Sequence, residues 1–413
     1  MNEKEKTLLT PEEQERRHQV AEQRRRKARA ERARKKRRAK KIKLTIGIVF
    51  VTLLTAAAVF IITRYVLPDA GKDAQQPKTS PSEEQTSSET TQTPTTAPEP
   101  THDYPELKSK NGTFSTYSSG AIRVDNAAFS VCGTLSDSVT SKYAALVSEV
   151  ADSLNGKTKV YSLIIPTSYG VTLPDDIKTQ IANYADQGEN IAKVFSKMSE
   201  NVTPVYCYDD LMTHRDEYLY FRTDHHWNGK GAYYAYAAFC RTKGIEPYTL
   251  EEREKKEFDG FLGTMYQNNG KDENLLPADT VEAFLPVSAN AAMKFTNTEG
   301  TTYDWPIVKD VSEWSSGAKY NTFAGSDNPI TEFTNPDVAD GSVLIVVKES
   351  FGNALLPYLV DHYSKIYEID YRYWKGNLVS FAEEVGADDL LFANNIMMTS
   401  TSLLVGNLSK IIK

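Results

Sequence analysis

The chain has 413 residues and a formal net charge of −7, and this charge is distributed very unevenly. Residues 1–43 contain 18 Lys/Arg against 7 Asp/Glu, so they carry +11 and the remaining residues carry −18. The length excludes a single small domain. A basic head on an acidic body indicates that the two parts of the chain work in different places.

Residues 1–43 form a basic segment whose Ala, Glu, Gln, Lys and Arg content is compatible with a helix. Such a segment can bind nucleic acid through phosphate contacts, or it can lie against anionic lipid. It contains no aromatic residue for base stacking, and an apolar run follows it at once. We therefore expect a lipid contact in the cytoplasm and no nucleic-acid partner.

Residues 44–62 contain no charged residue and lie between Lys43 and Arg64. This length suits a helix that spans a bilayer, and we place the transmembrane anchor at 44–66. The excess of Lys/Arg on its N-terminal side predicts a cytoplasmic N-terminus and an extracellular remainder. A signal peptide cleaved at Ala-Ala-Ala 56–58 is the alternative. The apolar run continues past these alanines, so a single-pass cell-membrane protein is favoured.

Residues 67–103 are rich in Pro, Ser, Thr, Gln and Glu, which predicts a disordered stalk before a folded region at 104–413. In that region, strand-like and helix-like segments alternate, which predicts an α/β fold: a doubly wound, mostly parallel sheet with helices on both faces. Residues 245–335 break the alternation, and we interpret them as an insertion that shapes one wall of an active cleft. The predicted strands are 160–165, 202–207, 343–347, 365–369 and 390–392, and the predicted helices are 142–154, 177–198, 231–239, 353–362 and 378–385.

The three cysteines, Cys132, Cys207 and Cys240, are too few for a disulfide framework in an extracellular region of this size. One bridge remains open, with Cys207–Cys240 as the favoured pair. A nucleophilic cysteine is disfavoured because none of the three lies at a strand-to-helix turn.

The run Thr-Asp-His-His-Trp at residues 223–227 carries the strongest chemical signal. In an extended segment, residues i and i+2 point to the same face, so we expect Asp224 to hydrogen-bond to His226 while His225 points away. A carboxylate that holds the tautomer of a histidine forms two-thirds of a nucleophilic triad. Adjacent histidines in a strand diverge, so no metal site is predicted here. We expect Trp227 to support the His226 loop by packing.

Ser350 is the predicted nucleophile, because it follows the strand-like run 343–347 and precedes a glycine and a helix-like stretch. The amides of Ser350 and of the residues after it can stabilise an oxyanion, with Gly352 permitting a close approach and Asn353 as a side-chain donor. The alternative is that Glu349 and Ser350 only cap the following helix. The presence of an Asp-x-His-Trp segment elsewhere in the chain favours catalysis.

Polar residues at two other predicted strand ends are expected on the same edge of the sheet. Arg372 can hold a polar acceptor or the acyl oxygen, or it can form a salt bridge with Asp370, and the sequence supports both interpretations equally. Asn394 and Asn395 can donate to an oxyanion, but a role as turn residues is favoured.

The motif at 223–227, followed by Gly231-Ala-Tyr-Tyr, resembles the signature of the DHHW protein family. That family is similar to the AlgJ/AlgX polysaccharide O-acetyltransferases, which are SGNH-hydrolase-like. The resemblance extends from about residue 111 to the C-terminus and includes Ser350-Phe-Gly-Asn353. It implies a triad of Asp224, His226 and Ser350, in the reverse of the usual chain order. Glu349 departs from the group, which often has Asp before the serine.

The resemblance also implies a function. We expect a membrane-anchored extracellular serine O-acyltransferase, needing no cofactor, that moves an acetyl group onto a cell-surface or secreted polysaccharide through an acyl-enzyme. Because acyl-CoA is absent outside the cell, a membrane-bound O-acyltransferase (MBOAT-like) partner is expected to export the acyl group. Two alternatives remain open: a carbohydrate esterase or deacetylase with the same triad, and a non-catalytic polysaccharide-binding assembly protein.

Overall fold

A computed structural model describes residues 103–412 of the chain. The predicted basic segment and anchor lie outside the described residues, as does the stalk apart from its last residue. Between residues 103 and 412, no helix is both long enough and apolar enough to cross a membrane.

Thirteen strands form three sheets in the described part of the chain. β1, β2 and β3 form a small antiparallel sheet, β6 and β7 form a hairpin-like pair, and the other eight strands form the main sheet. The strands are β1 Ser115–Thr116, β2 Ile122–Val124, β3 Ala127–Phe129, β4 Lys159–Ile165, β5 Val202–Val205, β6 Lys255–Phe261, β7 Asp279–Phe284, β8 Ala292–Thr296, β9 Thr302–Trp305, β10 Ile330–Thr334, β11 Val343–Lys348, β12 Lys365–Asp370 and β13 Asp389–Asn395.

Helices connect these strands. The α-helices are Asp137–Leu154, Ser168–Val171, Asp175–Lys178, Gln187–Phe195, Tyr208–Thr213, Gly229–Lys243, Thr264–Asn268, Leu356–Leu359, Leu378–Val385, Ile396–Thr399 and Ser402–Ile412, and the 3₁₀ helices are Glu273–Leu275, Ser316–Thr322, Ser350–Ala354 and Val360–His362.

The main sheet has the order β5-β4-β13-β11-β12-β10-β8-β9. Its first five strands are parallel, and β4, β11 and β13 among them are buried almost throughout, as expected for strands covered on both faces. β10, β8 and β9 extend the sheet beyond β12 by three successive antiparallel pairings, β12 with β10, β10 with β8, and β8 with β9. The sheet is therefore mixed, with a parallel half that matches the prediction and an antiparallel half that comes from residues 245–335.

Two predicted helices are interrupted. The stretch 177–198 is divided between the short helices Asp175–Lys178 and Gln187–Phe195, and Asn183 between them lies at φ 60°, a left-handed conformation that is incompatible with one continuous helix. The stretch 353–362 contains one turn of α-helix between two 3₁₀ segments, where Pro357 offers no amide hydrogen.

The expected Cys207–Cys240 bridge is wrong. Both thiols are free and buried, as is that of Cys132. Cys207 precedes the helix Tyr208–Thr213, whereas Cys240 lies in the helix Gly229–Lys243 beside His362.

Candidate active site

Ser350 lies immediately beyond the carboxyl end of β11, in the middle of the parallel half of the main sheet. Open α/β sheets bind their ligands at this edge. The buried Glu349 side chain holds the turn, because it accepts hydrogen bonds from the amides of Phe351 (3.2 Å) and Asn395 (3.0 Å). Capping of the following helix is therefore the role of Glu349, and the Ser350 hydroxyl, 3.4 Å from Glu349 Oε2 and 2.8 Å from His226 Nε2, does not cap it.

Residues 223–227 form a bend rather than the predicted extended segment. Buried Asp279 anchors the start of this bend by accepting from the Thr223 amide (2.8 Å) and hydroxyl (2.6 Å). At its end, Trp227 is fully buried and donates from Nε1 to the Phe351 carbonyl at 2.9 Å. This confirms that Trp227 is a packing residue, and it ties the bend directly to the Ser350 turn.

The three predicted triad residues lie in one chain of hydrogen bonds. His226 Nδ1 is 2.6 Å from Asp224 Oδ1, and His226 Nε2 is 2.8 Å from Ser350 Oγ. Asp224 Oδ1 also accepts from the His226 amide at 3.0 Å. Because the carboxylate can only accept, Nδ1 carries the proton, and Nε2 is free to accept from the serine hydroxyl.

The charge on Asp224 is stabilised although the group is buried. Burial alone would raise the pKa of this carboxyl, but the His226 and His225 rings and its hydrogen bonds outweigh burial and hold the pKa well below its usual range. The carboxylate therefore stays ionised and can stabilise an imidazolium at His226.

The expectation that His225 points away is wrong. Its ring lies 3.8 Å from the His226 ring, measured between centroids, because the bend brings the two side chains together. Its Nδ1 is 2.6 Å from Thr264 Oγ1 and 3.7 Å from Asp224 Oδ1. Burial lowers the pKa of His225 to about 4, so the ring is neutral near pH 7.

Asp224, His225 and His226 offer ligand atoms within 4.8 Å of one another. The two histidine rings therefore do not diverge, and divergence does not exclude a metal ion here. A cation at this place would have to replace existing bonds, because His226 Nδ1 is held by Asp224 and His225 Nδ1 by Thr264. The side chains as they stand form a hydrogen-bonded cluster.

Thr264 is a residue of the site that the sequence did not indicate. Its amide (2.7 Å) and its hydroxyl (2.9 Å) both approach Asp224 Oδ2. Since the hydroxyl has one proton, it donates to the carboxylate and accepts from His225 Nδ1. The preceding Gly263 allows this contact, because a Cβ there would lie 2.3 Å from the Asp224 side chain.

Tyr320 is the second unpredicted residue. Its ring stacks on His226 with centroids 4.0 Å apart and an interplanar angle of 7°, and its hydroxyl donates to the Ser350 carbonyl at 2.9 Å. Thr264 and Tyr320 both come from residues 245–335, in short segments without hydrophobic periodicity. Only an alignment or a structure could have singled them out.

The predicted oxyanion donors Gly352 and Asn353 are engaged elsewhere. The Gly352 amide closes the turn to the Glu349 carbonyl at 2.9 Å, and a Cβ at Gly352 would lie 2.6 Å from Lys348 Cβ. Glycine is therefore required here for packing against Lys348. The Asn353 amide group donates to Asp327 Oδ1 at 3.1 Å.

Arg372 forms the salt bridge that the sequence left open. It contacts Asp370 at 2.6 Å and Asp327 at 3.0 Å, so its charge is shared between two carboxylates. Asn395 is a turn residue, since its side chain accepts from the amides of Met397 and Met398 and caps the helix that follows.

Beneath the serine turn lies a buried charge cluster centred on Lys348. The Lys348 ammonium is fully buried, 2.9 Å from Glu368 and 3.6 Å from both Asp370 and Asp327. Although burial opposes it, the three carboxylates raise the pKa of Lys348 above its usual value. Lys348, Asp370 and Ala393 are paired in the sheet, so this cluster supports the edge where the site lies.

The mixed α/β sheet, with this site at the carboxyl ends of its parallel strands, defines the class of protein: its fold resembles that of SGNH-like proteins. The model of the family described as DHHW protein matches residues 106–369. The chain belongs to the DHHW family.

Solved structures agree with this assignment. A DHHW family protein from Eubacterium siraeum shares 26% identity, with a TM-score of 0.63 over 71% of this chain and 95% of that chain. Bacillus cereus PatB1, solved with a sulfonyl adduct, has 15% identity and a TM-score of 0.57 over 73% of this chain and 98% of its own, which indicates a shared fold. The O-acetyltransferase domain of Pseudomonas putida AlgJ also matches, but its TM-score of 0.37 is too low to support a conclusion. A comparison with curated protein sequences gave no match.

Proposed function

We propose that this protein is an extracellular serine O-acyltransferase that acts on a polysaccharide. The observation that carries the proposal is the continuous hydrogen-bonded chain from Asp224 through His226 to Ser350, with contacts of 2.6 and 2.8 Å. A serine, a histidine and a buried carboxylate in this order are the parts that acyl transfer through a covalent intermediate requires.

In the first half-reaction, the Ser350 hydroxyl gives its proton to His226 Nε2 as its oxygen attacks the carbonyl carbon of an acyl ester. The bond to the donor alcohol then breaks, and His226 returns the proton to the leaving oxygen. In the second half-reaction, a sugar hydroxyl gives its proton to His226 and attacks the acyl-enzyme. Ser350 leaves and takes this proton back, so the enzyme is regenerated.

The surroundings of the triad support these steps. Asp224 remains charged and can stabilise the imidazolium that forms twice in each cycle. Tyr320 holds the His226 ring from one face and the Ser350 backbone through its hydroxyl. The amides of Phe351 and Gly352 are used within the turn, so we assign the Ser350 amide as the backbone donor to the oxyanion.

The sulfonyl adduct of PatB1 also supports the proposal. Sulfonyl groups react with activated hydroxyl nucleophiles, and the fold shared with PatB1 covers 73% of the chain described here. A nucleophilic serine on the same fold would take up such a group in the same way.

Location and partners belong to the same proposal. The uncharged run at 44–62 would anchor the protein in the cell membrane, with the folded region outside and the basic segment inside. A polysaccharide would be the acceptor, and an MBOAT-like membrane protein would deliver the acyl group, with acetyl as the group that the family resemblance implies.

Transfer and hydrolysis share this triad and differ in whether sugar or water resolves the acyl-enzyme. The test is to incubate the full-length protein with 4-nitrophenyl acetate and an oligosaccharide, and to follow acetylated sugar by mass spectrometry. We expect acetylated product with the wild type and none with Ser350→Ala. Free acetate alone would establish an esterase, and glycan binding without any turnover would establish the binding protein.

A further inference from the structure

A cavity of about 190 Å³ lies at the same edge of the sheet as Ser350. Most of its wall residues lie at or after the ends of three neighbouring parallel strands or in the C-terminal helix Ser402–Ile412. These residues include Thr167 after β4, Phe351 after β11, Met397 and Met398 after β13, and Leu404. β13 lies between β4 and β11, and chain crossovers run in opposite directions from this point, which is where open α/β sheets place their ligands.

The cavity is adjacent to the reacting atoms. Phe351, one of its walls, is the residue bonded to Ser350, and its ring centroid lies 5.0 Å from that of His226. His225, another wall, packs against His226 at 3.8 Å. Tyr320 covers the His226 ring by stacking at 4.0 Å and does not line the cavity. Only the width of one side chain therefore separates a group attached to the Ser350 oxygen from this cavity.

The lining favours an apolar occupant. The exposed surface of the lining is mainly apolar, with Met397, Met398, Leu404 and Phe351 among its residues, and several of its polar side chains have partners inside the protein. The Asn395 side-chain oxygen accepts from two helix amides, for instance, and the Thr401 hydroxyl donates to the Met397 carbonyl at 2.7 Å. Two methionines make such a wall adaptable in shape.

We propose that this cavity binds the hydrocarbon chain of an acyl group esterified to Ser350, and that this group is longer than acetyl. The inference rests on the proposed function and specifies the acyl group, which would be longer than the acetyl group that the family resemblance implies. An apolar cavity of about 150 Å³ is large enough to bind benzene, so the space here holds roughly six carbon atoms. An acetyl group, with one methyl carbon beyond its carbonyl, would leave most of it unfilled.

The test compares 4-nitrophenyl esters of acetate, butanoate, hexanoate and decanoate with the full-length protein. We expect kcat/KM to rise from acetate to hexanoate by up to about fourfold for each methylene buried, and to fall at decanoate. Leu404→Trp, which fills the cavity, should lower the ratio of hexanoate to acetate kcat/KM by about tenfold. Leu404→Ala, which enlarges it, should move the preferred ester to a longer chain.

The matched control is Leu403→Trp, at the adjacent position, where the side chain is 71% exposed and lies outside the cavity lining. It should leave the hexanoate to acetate ratio unchanged. If acetate is cleaved but the wild type shows no preference for longer esters, or if both Leu404 variants keep the wild-type ratio, the inference is overturned and the proposed function stands. If Ser350-dependent cleavage is absent for every ester, the proposed function fails, and the inference fails with it.

Discussion

At the residue scale, the two adjacent histidines differ in what their ring nitrogens contact. His226 joins Asp224 to Ser350, whereas His225 contacts the Thr264 hydroxyl. His226→Ala should therefore lower kcat for ester cleavage by about 10⁴-fold or more, because it removes the base of the triad. His225→Ala should cost far less, about tenfold or below, measured with the same ester. Equal losses in the two variants would reject the assignment of His226 as the base.

Thr264 offers a test of how Asp224 is held. Thr264→Val keeps the backbone hydrogen bond to Asp224 Oδ2 but removes the hydroxyl bond at 2.9 Å. A hydrogen bond to a charged group contributes about 1.5–3 kcal/mol, so kcat should fall by about tenfold or more, with KM nearly unchanged. Thr264→Ser restores the hydroxyl and should restore kcat. A serine variant as slow as the valine variant would show that the methyl contact, and not the hydrogen bond, matters.

His225 also predicts a pH dependence of stability. Its pKa is lowered from 6.5 to about 4 on folding, mainly by burial. Between these pH values the unfolded chain binds a proton that the folded chain does not, so His225 makes the free energy of unfolding fall as the pH falls. In His225→Gln, this contribution is absent, and urea unfolding curves should show a weaker loss of stability from pH 6.5 to 4. Parallel pH profiles for the two proteins would contradict the prediction.

Part of the site could be predicted from the sequence because its parts are local. Asp224 and His226 are two residues apart, and Ser350 follows an apolar strand. The Asp-x-His pair and the serine at a strand end are therefore both recognisable in the sequence. Thr264 and Tyr320 reach the site through contacts between distant segments, which no local pattern reports. The predicted orientation of His225 was wrong because residues 223–227 form a bend. Side chains in a bend do not alternate between two faces as they do in a strand.

At the scale of elements, β11 depends on a buried cation. Lys348→Met should destabilise the fold by about 3–5 kcal/mol, because it leaves the buried carboxylate of Glu368 without its cation, whereas Asp370 keeps its pair with Arg372. Lys365→Met is the matched control on the neighbouring strand, because the Lys365 side chain is 38% exposed and lies 3.6 Å from Glu332. This substitution should lower the free energy of unfolding by less than about 1 kcal/mol. Urea denaturation measures both. A similar cost for the two lysines would refute a structural role of the cluster.

The parallel strands were predictable because strands buried on both faces have continuous apolar sequences. β4, β11, β12 and β13 all follow such runs, within one to three residues of the predicted ends. The helices at 177–198 and 353–362 were less predictable, because single residues such as Asn183 and Pro357 interrupt an otherwise helical pattern. The antiparallel strands from 245–335 have half-exposed, mixed sequences, and their pairing is determined by register with distant strands.

At the scale of the whole molecule, the charge asymmetry predicts a topology. If the proposed topology holds, with the Lys/Arg-rich residues 1–43 inside, protease added to intact cells should cleave the folded region, while an N-terminal tag should remain in the membrane fraction. A mature chain that begins after residue 58 would instead indicate a cleaved signal peptide. Mass spectrometry of the purified protein distinguishes the two.

We propose that Ser350 forms a covalent intermediate with the help of His226, and covalent labelling of the serine detects this reactivity. Full-length protein is treated with an aryl sulfonyl fluoride, digested and analysed by mass spectrometry. We expect a sulfonyl adduct on the peptide that contains Ser350, no adduct in Ser350→Ala and very little in His226→Ala. Labelling should be normal in Ser402→Ala, which changes an exposed serine in the C-terminal helix. Labelling of Ser350→Ala and His226→Ala at the wild-type level, or an active wild type that never labels at Ser350, would contradict it.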